Sequence, residues 1–325
     1  MKNGKGGAIF FGIGLLTILI GGASVTSAAS DFPNRPIEMV IPYPPGGAVE
    51  IVVRPFKDKV SQILGQPVVF SFKPGAGGAA GAAYVAHAKP DGYTILVGST
   101  TPLIMIPLTK KDIGYSLTDF AAVCNLTMTS LVWLVKEDSP HKTMQDFIRA
   151  ARTKKMKYST YGTHGLSHIC MEALGKAAGF QSILIPYPGG NPALAAVLGG
   201  HVDIGITPGS LGMAGPGKLR IISVAQEKRL ELYPDVPTLG ELGYPINGSN
   251  YFGLFAPKGT PKDILQKLGG AHKKALDENK KEITEFFKGF ENIPVFLDHE
   301  KTDELYTNDY ALRKKMIEET GIFLK

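Results

Sequence analysis

The run with the clearest chemical content is Pro44-Pro45-Gly46-Gly47-Ala48. A short apolar stretch, residues 38–41, leads into it, and an apolar-periodic segment leaves it, so the two glycines mark a corner between a strand and a helix. Such a corner can bind an anion. The first N–H groups of a helix lack intrahelical partners and carry the positive end of the macrodipole, and glycine lets a ligand approach the backbone. The same run also reads as an ordinary strand-to-helix turn, and alone it does not choose between the two. Similar corners recur. Lys73-Pro74-Gly75-Ala76-Gly77-Gly78 and Ser99-Thr100-Thr101 each follow a strand-like run, as do Tyr161-Gly162-Thr163-His164-Gly165 and Pro188-Gly189-Gly190-Asn191-Pro192. In the last of these, Asn191 suits a helix cap and Pro192 the first helical position.

Other residues carry chemistry less directly. His164 and His168 have the i, i+4 spacing of metal ligands on a helix, but His164 falls in a loop and no acidic ligand is close in sequence, so no metal site is assigned. His164 is instead read as a cleft residue donating a hydrogen bond to a ligand, with an exposed loop histidine as the alternative. In the first reading, affinity rises as pH falls. Tyr43, Tyr161 and Tyr187 each follow a strand where a ring can wall a ligand and a hydroxyl can bind it. Glu50 can accept from a ligand hydroxyl or amine, or serve as a first-turn acid on the helix dipole. There is no Gly-x-Ser-x-Gly elbow, no His-Glu-x-x-His, and no Cys–His pairing with supporting spacing. No catalytic residue and no cofactor are assigned.

These loops need elements to hold them. From Arg35 onward, strand and helix patterns alternate. Helical stripes are predicted over residues 49–64, 79–88, 144–152, 166–178, 192–198, 262–278, 282–290 and 301–320, with strands over 68–72, 93–98, 131–135, 157–160, 183–187, 202–207, 219–225 and 253–256. A further short segment is placed around Leu211. Pro55 should kink the first helix. Such alternation implies βαβ units and a largely parallel sheet, whose ligands sit beyond the carboxyl ends of the strands.

The 325 residues, 44% hydrophobic and 20% charged, suffice for two modest domains. Residues 1–29 read as a secretory signal peptide: Lys2 and Lys5, an apolar run over 8–20, then small residues to Ala29. Losing its two lysines lowers the formal charge from +6 to +4. The remaining lysines alternate with acids on helix faces, which gives no nucleic-acid stripe. Cys124 and Cys170 suit either a disulfide, which export permits, or two buried thiols.

At this point the chain resembles the Bug-type solute-binding proteins, the extracytoplasmic receptors associated with tripartite tricarboxylate transporters. The resemblance covers nearly all of residues 35–325. It rests on Pro42-Tyr43-Pro44-Pro45-Gly46-Gly47-Ala48-Val49-Glu50, the run 73–78, Pro90-Asp91-Gly92-Tyr93-Thr94, Pro186-Tyr187 with Pro192-Ala193-Leu194, Leu198-Gly199-Gly200-His201-Val202-Asp203, Gly217-Lys218-Leu219-Arg220, and Pro234-Asp235-Val236-Pro237-Thr238. It implies a type II periplasmic-binding-protein-like fold of two α/β domains with a ligand cleft between them: residues 30–129 plus 251–325 as one, 130–250 as the other. A hinge is expected near 125–132 and 249–255. By the same resemblance, a small carboxylate is held largely by backbone N–H groups around Tyr43, Pro45, Gly46, Gly47 and Ala48, with Thr100 and Thr101 nearby. From the other domain come Gly162, Thr163, His164 and Gly165, with Gly190, Asn191 and Pro192. The implied protein is a non-enzymatic, monomeric periplasmic receptor serving transporter membrane subunits, with a signalling receptor or an exported hydrolase or lyase as the alternatives. The chain departs from the family pattern at Glu50, where Asp is usual, at His164, where Gly is common, and at Ile206 and Thr207.

Overall fold

The computed structural model describes Met1, Gly4 and residues 31–209, 212–215 and 217–321. The signal peptide read over residues 1–29, apart from Met1 and Gly4, and the core of the segment around Leu211 lie outside them. Ten strands are present: β1 Ile37–Ile41, β2 Val68–Phe72, β3 Thr94–Ser99, β4 Phe120–Lys136, β5 Met156–Thr160, β6 Ser182–Pro186, β7 Ile204–Pro208, β8 Leu219–Val224, β9 Ser249–Pro257 and β10 Ile293–Leu297. The helices are α1 Ala48–Val53, α2 Lys57–Leu64, α3 Ala79–Ala86, α4 Ile106–Thr109, α5 Met144–Ala151, α6 Leu166–Ala178, α7 Gly190–Leu198, α8 Lys262–Glu278, α9 Lys280–Lys288 and α10 His299–Thr320.

The predicted alternation is borne out, and Pro55 acts as expected. It sits in a 3-10 turn, Arg54–Phe56, that separates α1 from α2, because proline supplies no N–H for the α-helical ladder. The helix predicted from 144 starts there through a capping box: Thr143 Oγ1 accepts from the Asp146 N–H at 3.1 Å, and the Asp146 carboxylate accepts from the Thr143 N–H at 3.2 Å.

The strands form one mixed sheet in the order β2-β1-β3-β9-β4-β7-β5-β6, with β10 and β8 pairing β4 beside this path. β1 runs parallel to β2 and β3, and β5 parallel to β6 and β7. Both parallel groups aim their carboxyl ends at loops that follow strands. The long β4 joins them. Its first part, residues 120–130, pairs antiparallel with β9 and carries β10; its second part, residues 131–136, pairs with β7 and β8. Two of these pairings were not expected: β4 begins eleven residues before the strand read from Leu131, and β10 had no strand signal at all.

Trp133 is fully buried in the second part of β4 and belongs to the core. Cys124 and Cys170 are both buried free thiols. Among the described residues no helix is long and apolar enough to cross a membrane.

Candidate functional site

The loops after β1, β3, β5 and β6 meet around a cleft. Strand β1 carries the chain to Pro42 and Tyr43, and Gly47 in an extended conformation starts α1. On the far side, Gly189, also extended, starts α7. The N–H groups of Gly47, Ala48 and Val49 find no hydrogen-bond acceptor among the described residues, nor do those of Gly190 and Asn191. That is the state in which a helix start can receive an anion. Among the described residues the cleft lining carries no ionisable acid or base other than Tyr43 and Tyr161.

Both tyrosines are held in place. Tyr43 Oη donates to the Gly77 carbonyl at 2.7 Å, and its ring meets that of Tyr161 edge-on with centroids 6.2 Å apart. Burial pushes the Tyr43 pKa well up and that of Tyr161 up to about 12. Neither phenol is a base at neutral pH.

Of the residues predicted from sequence, Tyr43, Pro45, Gly47, Ala48, Tyr161, Gly190, Asn191 and Pro192 line the cleft. Gly46 stands just behind: its carbonyl accepts from Asn191 Nδ2 at 2.9 Å, which ties the loop after β1 to the loop after β6. Its N–H is taken by Glu50 Oε2 at 2.6 Å, and Glu50 Oε1 accepts from Arg54 at 2.8 Å. Glu50 therefore staples its own loop, with its side chain turned away from the cleft. Burial alone would raise the Glu50 pKa, but the hydrogen bond from Gly46 and the Arg54 guanidinium hold it below the usual carboxylate value. Since the folded pKa is the lower one, the stabilisation is present at neutral pH and is lost as pH falls below about 4. Glu50→Ala is expected to cost about 1–2 kcal/mol at pH 7 and progressively less in acid, which denaturant unfolding at pH 7 and pH 3 will show.

Of the other predicted residues, Thr101 and the run 162–165 fasten the two sides together. Thr101 Oγ1 accepts from the Leu166 N–H at 3.2 Å and lies 3.2 Å from Tyr161 Oη. Thr100 Oγ1 accepts from the Tyr251 N–H at 3.2 Å. Gly162 approaches Gly77 backbone to backbone. The His164 carbonyl accepts from Thr109 Oγ1 at 3.3 Å, and its N–H donates to His168 Nδ1 at 3.0 Å. Burial, with Lys110 adding to it, lowers the His164 pKa, and burial takes His168 down to about 4, so both rings are neutral at pH 7. Thr163 and Gly165 belong to this same seam, and Tyr187 packs against the apolar cluster around α7 and β8. None of these is in the cleft lining. Among the described residues no group of three or more His, Cys, Asp or Glu is placed to hold a metal.

Sequence reasoning missed Pro44, Val49, Ser99, Gly189, Pro208, Asn250 and Phe252 as lining residues. Pro44, Val49 and Gly189 adjoin predicted positions. Ser99 and Pro208 end strands, where a change from apolar to polar or proline was the only signal. Asn250 and Phe252 sit inside β9 with no loop chemistry to mark them.

Comparison with known proteins adds to this geometry. A family model described as tripartite tricarboxylate transporter family receptor matches residues 52–322. The UPF0065 protein in the gbd 5' region of Cupriavidus necator is 38% identical over 316 residues, covering 96% of each chain. Protein BugT of Bordetella pertussis is 30% identical, covering 95% of this chain and 96% of its own. The structure of MatC from Rhodopseudomonas palustris with bound malate is similar with a TM-score of 0.81 at 26% identity, covering 88% of this chain and all of that one.

Proposed function

The chain belongs to the tripartite tricarboxylate transporter receptor family, the Bug-type solute-binding proteins, and from that premise we propose that it captures a small carboxylate in the cleft and delivers it to transporter membrane subunits. One observation carries this reading. Among the described residues, unpaired backbone N–H groups converge on the cleft from both sides and no charged side chain lines it. A carboxylate there is held by backbone dipoles, as P-loops hold phosphates. The malate bound by MatC supports the ligand class.

In this reading the contacts come from Tyr43, Pro45, Gly47 and Ala48 on one side and from Tyr161, Gly190, Asn191 and Pro192 on the other. Thr101 and residues 162–165 fasten the sides. Residues 30–129 with 251–325 form one domain and 130–250 the second, and the change of partners along β4 near residue 130 supports that division. A carboxylate that touches both loops favours the closed arrangement by its differential affinity, and only that difference drives closure. The protein works as an exported receptor without a reaction of its own. Among the described residues its lining hydroxyls are Ser99 and two tyrosines whose buried phenols stay protonated, which leaves no general base among them.

Thermal unfolding against mono-, di- and tricarboxylates, after unfolding and refolding to strip carried ligand, tests the reading. A ligand at about 1,000 times its Kd adds roughly 4 kcal/mol and raises the midpoint by several degrees. Asn191→Ala removes the side-chain hydrogen bond that links the loops after β1 and β6, and should weaken affinity about 5- to 10-fold, the worth of one partly exposed hydrogen bond. Silence of the stripped protein towards every carboxylate removes the proposal, and turnover of a bound acid replaces it with an enzyme.

A further inference from the structure

Asn250 is 2% exposed and stands in β9 at the cleft wall. Its Oδ1 is shielded from solvent and has no hydrogen-bond partner among the described residues. A buried carboxamide left unsatisfied is destabilising, and native structures keep one only for a reason. Here the reason lies in the cleft. The unpaired atom is a carbonyl acceptor, so the group that satisfies it offers a donor.

Resting on the receptor reading above, we infer that the ligand is a 2-hydroxycarboxylate, with its carboxylate at the loop amides that begin α7 and its hydroxyl paired to the Asn250 carboxamide. The donor is a neutral hydroxyl for an electrostatic reason. An ammonium group would find no carboxylate among the described lining residues and would face the positive end of α7. An unsubstituted acid would leave the Asn250 carbonyl unpaired in the closed cleft. Sites built to pair a substrate hydroxyl discriminate strongly against the analogue that lacks it.

Titration calorimetry on the purified, ligand-stripped chain tests this with matched sets: lactate, propionate and alanine; malate, succinate and aspartate; mandelate, phenylacetate and phenylglycine. In the wild type, one hydroxy acid should bind about 10- to 100-fold more tightly than its deoxy counterpart, with its amino counterpart also weaker. In Asn250→Leu, which keeps the volume and removes both polar ends, that ratio should fall to near one, mainly by loss of the hydroxy acid. Equal wild-type affinity for the hydroxy and deoxy members overturns the inference, as does a ratio that survives Asn250→Leu. The wild-type ratios need no variant, so a leucine substitution that does not fold leaves the test standing, and Asn250→Ala then supplies the second arm. Carboxylate binding without a hydroxyl preference defeats this inference alone. Failure of every acid, substituted or not, defeats the receptor reading with it.

Discussion

Replacing Arg313 with methionine will lower the unfolding free energy by about 3–5 kcal/mol, the range for removing one partner of a buried ion pair. Arg313 lies on α10 and is 1% exposed. Its Nε donates to Asp309 Oδ1 at 3.0 Å, one turn back on the same helix. Its remaining nitrogens donate to the backbone carbonyls of Asn247 and Ser249, the latter at 3.0 Å. One guanidinium thus satisfies a buried carboxylate and two carbonyls where the chain enters β9. Methionine fills much of the space but leaves all three acceptors without their donor.

The pH dependence distinguishes this cause from a packing defect. Burial raises the Asp309 pKa, and Arg313 opposes the rise. Without the arginine, the folded-state pKa climbs further above the unfolded value. The penalty is then whole at neutral pH, where Asp309 would be buried and charged, and shrinks as pH falls toward about 4 and the carboxyl takes up a proton. A cavity would cost the same at both pH values. The double change Arg313→Met with Asp309→Leu should recover most of the loss at pH 7, because a buried pair replaced by apolar residues is often neutral. Urea unfolding of the wild type and these two variants at pH 7 and pH 5 measures all of this. A loss below about 1 kcal/mol for the single change would mean that the pair is hydrated and the clamp on residues 247–249 weak.

How much of this architecture could be read in advance depended on which residues advertise themselves. The loops after β1 and β6 were legible because Pro, Gly and Asn at a strand-to-helix corner have few other uses. The first part of β4 was not, because Asn125, Thr127, Thr129 and Ser130 are polar yet buried at 0–2% exposure, and they interrupt the apolar run by which a buried strand is recognised. β10 hid behind Pro294, which is tolerated because the strand pairs only with β4. In the site, position in a loop told which residues gather but not which of them face a ligand and which face the opposite loop. Glu50 and Thr101 illustrate this: both have side chains able to bind a ligand, and both are used up by neighbouring backbone N–H groups. Asn250 was invisible for the opposite reason. A lone amide inside an apolar strand gives no pattern, and its meaning comes only from the missing partner.

The seam between the loops sets the other large effect: Gly162→Val should weaken binding of the carboxylate identified by the panel by on the order of a hundredfold. Gly162 has φ +134°, a conformation almost restricted to glycine, which a β-branched residue adopts only under strain. Space is short as well, since a Cβ there would lie 3.1 Å from the Gly77 Cα. Gly77 has little freedom to retreat, because its carbonyl accepts from Tyr43 Oη at 2.7 Å and Tyr43 in turn walls the cleft. The neighbour is main chain, so no side-chain rotamer relieves the contact, and the two loops must separate. Separation pulls the amides of α1 and α7 off a shared ligand while leaving each half's core untouched. Calorimetry should therefore show the large loss in Kd alongside a smaller change in the unfolding midpoint of the unliganded protein, with Gly162→Ala intermediate in both. A valine variant that binds within twofold of wild type would show that the approach of Gly162 to Gly77 plays no part in holding the ligand, since strain and contact both act on the one arrangement in which the two loops meet.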